Sequence, residues 1–102
     1  MSTTKEYKEF ILEQLEFCGS ITCRPMMGEY LLYCDGILFG GIYDNRLLIK
    51  ITNACEKYGM SEQIPYDGAK PMYMPQDTEN KELLKNIILD TCTALPVKKK
   101  KH

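Results

Sequence analysis

Tyr30-Leu31-Leu32-Tyr33-Cys34, Asp35-Gly36, Ile37-Leu38-Phe39-Gly40-Gly41-Ile42-Tyr43, Asp44-Asn45, Arg46-Leu47-Leu48-Ile49-Lys50-Ile51: this stretch decides the fold. Three runs of aromatic and branched side chains alternate with two pairs of residues that tolerate positive φ. Asp-Gly between such runs is the strongest short hairpin signal, because a type I′ turn needs φ > 0 at both central positions. The stretch reads as an antiparallel meander.

Two-residue turns at both points fix the pairing register. Tyr33 then opposes Leu38 and Leu31 opposes Gly40, while Ile42, Gly40 and Leu38 oppose Leu47, Ile49 and Ile51. That face is apolar and is expected to lie under helices. The opposite face collects Tyr30, Leu32, Cys34, Phe39, Gly41, Tyr43, Arg46, Leu48 and Lys50, and is expected to stand open. Tyrosine and arginine dominate binding hot spots. Tyr30, Phe39, Tyr43, Arg46 and Lys50 are therefore the candidate partner-binding residues.

The flanks supply the second layer. Residues 4–18 have helical spacing, with Tyr7, Phe10, Ile11, Leu15 and Cys18 on one stripe and Glu6, Glu9, Glu13 and Glu16 pointing away. Thr3 or Thr4 is the expected N-cap, and Gly19 marks the C-terminal end. Residues 21–27 read as a first strand, with Gly28-Glu29 as its turn and Pro25 confining it to an edge or a bulge. Asn53 to Gly59 reads as a short helix or turn. Gln63 to Tyr66 and Pro71 to Met74 read as short strands. Asp77 or Thr78 is expected to cap a last helix carrying Leu84, Ile87, Ile88 and Leu95 on one stripe, with Leu83 beside it and Pro96 at its end. The expected fold class is α+β, in two layers: an antiparallel meander packed against N- and C-terminal helices.

At 102 residues with 44% hydrophobic and 26% charged side chains, the chain supports one domain with a core of its own. Residues 1–97 are expected to form it, and 98–102 a basic disordered tail. Lys98 to Lys101 supply four of the thirteen basic residues, leaving nine against fourteen acidic ones, so the body is acidic. Nucleic-acid contact is accordingly expected to be weak and to run through the tail. No apolar run approaches the length of a membrane span, and the N-terminus lacks a signal-peptide pattern; a cytoplasmic location without membrane contact is the expectation.

The residues offer little chemistry. The sole histidine is His102, the last residue, which disfavours Ser–His and Cys–His catalysis. Cys18, Cys23, Cys34, Cys55 and Cys92 are odd in number and widely spaced without a C-x-x-C pair, so reduced, mostly buried thiols are expected and no zinc site is. Gly40-Gly41 sits inside a strand pattern, where glycine permits close backbone approach. The carboxylates at 6, 9, 13 and 16 form a solvated helix face. Neither catalytic residues nor a cofactor nor a metal is expected. The function classes left are a protein-binding module (with a partner protein or a second copy as a homodimer), a nucleic-acid-binding accessory protein using the tail with Arg46 and Lys50, and a thiol redox protein.

The segment Thr22-Cys23-Arg24-Pro25-Met26-Met27-Gly28-Glu29-Tyr30-Leu31-Leu32-Tyr33-Cys34-Asp35-Gly36 resembles the Arg-x-Met-Phe-Gly-Gly-Tyr-Gly-Leu-Tyr-x-Asp-Gly signature of the N-terminal domain of TfoX (Sxy) competence regulators. Arg24, Met26, Gly28, Tyr30, Tyr33, Asp35 and Gly36 are the residues that carry the motif. Leu47 to Ile51, Pro65-Tyr66 and Lys70 to Met74 are similar to later family segments, so the likeness covers nearly the whole chain. Met27 stands in place of the usual Phe, and Glu29 and Leu31 in place of glycines. The resemblance implies a two-layer α+β fold, of a group shared with type III secretion chaperones. It also implies a regulatory role in bacterial competence or transcription with no known catalytic site, here as a stand-alone domain without the helical C-terminal one.

Overall fold

The computed structural model describes residues 3–95. The tail and Pro96 lie outside the described residues. Helix α1 spans Lys5–Gln14 and is followed by strands β1 (Ile21–Met26), β2 (Glu29–Cys34), β3 (Ile37–Ile42) and β4 (Leu47–Ile49). A 3-10 helix at Asn53–Tyr58 leads into β5 (Ser61–Gln63), β6 (Met72–Met74) and helix α2 (Lys81–Ala94). The six strands form one antiparallel sheet in the order β1-β2-β3-β4-β6-β5, so β6 inserts between β4 and the edge strand β5. The α+β reading holds, with both helices on one face of the sheet.

Local chemistry explains the boundaries. Thr4 caps α1, its hydroxyl accepting from the Tyr7 N–H at 3.1 Å. The helix stops at Gln14, four residues short of the expected end, and the chain winds on through tighter turns to Gly19 at φ 103°. Gln14 itself is buried and donates to the Thr78 carbonyl at 3.0 Å, tying α1 to the segment before α2. The first turn is Met27-Gly28, so Glu29 belongs to β2 and not to the turn. Asn80 caps α2 by accepting from Leu83 N–H at 3.0 Å; Asp77 instead holds Glu79 N–H within the preceding turn. β5 begins two residues earlier than the sequence suggested.

Asp35-Gly36 and Asp44-Asn45 are two-residue turns with all four φ values positive, as the sequence reading required. The register nevertheless departs from expectation. Tyr33 opposes Leu38, but its neighbour Leu32 opposes Gly40, which leaves Phe39 as an extra residue on β3. Such a bulge moves every side chain beyond it to the other face. Leu32 and Cys34, assigned to the open face by the turns alone, are in the helix-side core, and Leu31 opposes Gly41 instead of Gly40. From Gly40 onward the expected pairs with β4 hold, Gly40 with Ile49 and Ile42 with Leu47, but the expected Leu38–Ile51 pair is absent from the ladder because β4 ends at Ile49.

Gly40-Gly41 makes this packing possible. A Cβ on Gly40 would collide with the Leu48 carbonyl, and one on Gly41 would stand 2.5 Å from the Tyr30 carbonyl. The core beneath the helices joins Ile11, Leu15 and Cys18 with Leu32, Phe39, Ile42, Leu47 and Ile49 of the sheet and Leu84, Ile87 and Ile88 of α2. Among the described residues no helix is long and apolar enough to cross a membrane.

Candidate protein-binding groove

The structure divides the five candidate residues between the two faces. Phe39 is 0% exposed in the core and offers no surface. Tyr30 lies half-buried beside α1, with the Lys8 ammonium 5.2 Å from its ring centroid. The bulge is the reason for both: it puts Tyr30, Leu32 and Phe39 on the helix side. Tyr43, Arg46 and Lys50 remain on the opposite side, and there they meet a segment that strand pairing alone did not place.

That segment is the β5–β6 connection, residues 64–71, which folds over the end of the sheet away from the helices. Arg46 holds it. Its guanidinium donates to the carbonyls of Ile64 and Pro65, each at 3.3 Å, and its Nε to the Tyr43 carbonyl at 3.2 Å. The Tyr43 ring occupies the space over Gly41 and stands 6.0 Å from the Tyr66 ring. Tyr43 is thus only 6% exposed, and burial is the main cause that raises its hydroxyl pKa. Leu48 is fully buried without joining the helix-side core, so β4 is covered on both faces.

Beside this cover runs a groove of about 500 Å³, open along one side. Leu38, Ile51, Met72 and Leu95 supply apolar walls, Pro65 and Pro71 the ends of the loop, and Lys50 and Lys70 the charges. Among the described residues no Asp or Glu lines it. Tyr66 is 57% exposed and Ile51 39%, large apolar surface standing in solvent at the rim. Lys70, Tyr66 and Ile51 were missed as site residues. The signal for Tyr66 and Lys70 was the proline-bounded loop between two short strands; Ile51 and Leu38, expected under the helices, instead line the groove.

Of the motif residues, Asp35 has a role in the fold. Asp35 N–H donates to the Ser20 carbonyl at 2.9 Å and its carboxylate accepts from Ser20 N–H, closing the turn against β1. Glu29, where the family motif has glycine, receives the Thr3 hydroxyl at 2.7 Å and the Asp44 N–H at 2.9 Å. It clamps the N-terminal segment to the β3–β4 turn. Arg24 is exposed on the edge strand β1.

All five cysteines are free, with Cys18, Cys34 and Cys55 buried. Cys34 donates to the Cys18 carbonyl at 3.1 Å, and Cys92 is a neighbour that feels its charge. Burial first, then the neighbouring thiol Cys34, pushes Cys18 up to about 11 and Cys92 up to about 12. Such groups stay protonated near neutrality, whereas reactive cysteines are those whose thiolate is stabilised. Among the described residues no cluster of three or more His, Cys, Asp or Glu side chains is placed to hold a metal ion.

A small antiparallel sheet with two helices on one face, and an apolar groove bearing two lysines between the 64–71 loop, the residues after β4 and the end of α2, defines a two-layer α+β domain. The chain belongs to the TfoX N-terminal domain family, which matches residues 13–93. It is also 32% identical over 102 residues to an uncharacterized 12.7 kDa protein in the trpE 5′ region of Spirochaeta aurantia, a match that covers 97% of this chain and 89% of that relative. The TfoX N-terminal domain family is not known as catalytic.

Proposed function

We propose that this domain is a non-catalytic regulatory module of the cytoplasm that acts by binding a partner protein, in the control of bacterial DNA uptake or transcription. The observation that carries the reading is the groove beside Tyr66: an apolar surface with exposed aromatic and aliphatic side chains, bordered by the 64–71 loop, the residues after β4 and Leu95 at the end of α2. An apolar concavity with a few convergent polar groups is where a ligand or partner segment is first to be sought. The family likeness supports the regulatory setting, and the protonated, mostly buried thiols weigh against redox chemistry. Arg46, which a nucleic-acid reading would direct at phosphate, has its hydrogen bonds directed at three backbone carbonyls.

The test is genetic and physical together. Deleting the gene should change DNA uptake or a defined set of transcripts, and the unmodified gene should restore them. A Tyr66→Ser/Ile51→Ser variant, which should stay folded with a slightly lowered melting temperature because Tyr66 gives up its contact with Tyr43 while Arg46 still holds the loop, should fail to restore them. Full restoration by the variant would place the contact elsewhere. An unchanged phenotype on deletion would remove the regulatory reading itself.

A further inference from the structure

We infer that the groove takes an acidic, extended peptide segment of the partner, with an apolar residue seated between Leu38, Ile51 and Met72 and flanking carboxylates at Lys50 and Lys70. The inference rests on the protein-binding reading above and names the chemistry of what is bound. Charge is the first argument. The body of the chain carries more acid than base, yet among the described residues the only charged side chains lining this groove are two lysines. Neither is in an ion pair among the described residues, where Lys57 pairs with Asp90 and Lys81 with Glu16. The carboxylate of Asp67 belongs to the same loop but is not among the lining residues. Two unpaired ammonium groups beside an apolar floor complement a ligand that is both anionic and apolar.

Shape selects a chain over an enclosed small molecule. Small-molecule sites bury most of the ligand surface; this groove is open along one side, so a backbone can enter and leave while one side chain is buried. Pro65 and Pro71 at the ends of its loop and the half-exposed Tyr66 ring on the rim give a stiff wall that orders little on binding. The groove is also held before any ligand arrives, because Arg46 and the Tyr43–Tyr66 contact fix the loop to the sheet.

The probe is a short fluorescein-labelled peptide carrying a Leu-Phe pair between glutamates, with a second peptide in which glutamine replaces each glutamate. Anisotropy should report saturable binding of the first that weakens as salt rises. Lys50→Gln with Lys70→Gln should lower its affinity about tenfold, as expected when two exposed charge pairs are lost, whereas Lys5→Gln on α1 should leave it unchanged. Amide shifts on adding peptide to the unmodified protein should concentrate at residues 50–51 and 65–72, a readout that needs no variant to fold. Equal affinity for the glutamine peptide, or shifts centred elsewhere, would overturn the inference. Failure of the peptide to bind at all, while the Tyr66→Ser/Ile51→Ser variant still fails in the cell, would overturn it and leave the protein-binding reading standing.

Discussion

Phe39 shows how much one residue decides. Both turns of the meander were legible, because Asp35-Gly36 and Asp44-Asn45 are among the few pairs that accept two consecutive positive φ values. From those turns alone β2 acquires the wrong inward face, since counting from a turn assumes an unbroken ladder. Tyr30-Leu31-Leu32-Tyr33-Cys34 could not correct the error: its two alternating sets are nearly equal in apolar character. The available signal was Gly40-Gly41, as glycine inside a strand pattern often marks a bulge. The structure makes a direct prediction. Leu32→Ala should cost roughly 2–5 kcal/mol, the range for a buried leucine, whereas Leu31→Ala should cost about 1 kcal/mol or less. Urea midpoints of the two variants check this, and a reversed order would restore the unbulged register. Gly40→Ala should cost about 1–3 kcal/mol through overpacking against the Leu48 carbonyl.

At the scale of elements, the helices were read best because their apolar stripes repeat at a period that few other structures satisfy. Ile11, Leu15 and Cys18 of the first stripe, and Leu84, Ile87 and Ile88 of the last, are buried as their spacing required. Their ends were read less well, since several polar residues compete for each cap and tertiary contacts choose among them. The 64–71 loop was the least legible element. Its position depends on Arg46 reaching two carbonyls 18 and 19 residues away, which no local pattern encodes. Arg46→Ala should therefore detach the loop without unfolding the sheet. Hydrogen exchange should quicken at Ala69, whose N–H bonds to the Tyr66 carbonyl, and Tyr43 should become accessible, while amides of β2 and β3 keep their protection. Loss of protection throughout β2 would show that the loop is part of the cooperative core.

Across the whole molecule, the groups that burial and hydrogen bonding perturb most are weak acids kept in their neutral form, and they set the pH range of the fold. Cys18 rises from 9.0 to about 11 and Cys92 from 9.0 to about 12, both mainly through burial. Tyr58 rises from 10.0 to about 12, first because its hydroxyl donates to the Asp90 carboxylate at 2.6 Å. Each of these groups keeps in the folded state a proton that the unfolded chain releases at lower pH. Their contribution is complete below the unfolded values and is lost as pH climbs toward the folded ones. The urea midpoint should therefore change little with pH just below about 9 and fall from there toward about 12. The thiols, Cys18 and Cys92 most and Cys23 and Cys34 with them, govern the onset, and Tyr58 the part above about 10. Replacing Cys18 and Cys92 together by alanine should make the fall between about 9 and 10 shallower without moving its onset, because burial also raises Cys23 and Cys34. Tyr58→Phe should leave the onset in place and flatten the upper part. Excess reductant at neutral pH should shift neither curve, because the five thiols are unpaired in the fold. A midpoint that stayed level between pH 9 and 10 in the parent protein would mean that these thiols ionise as readily folded as unfolded, and that the layer between β2 and α2 is open to water.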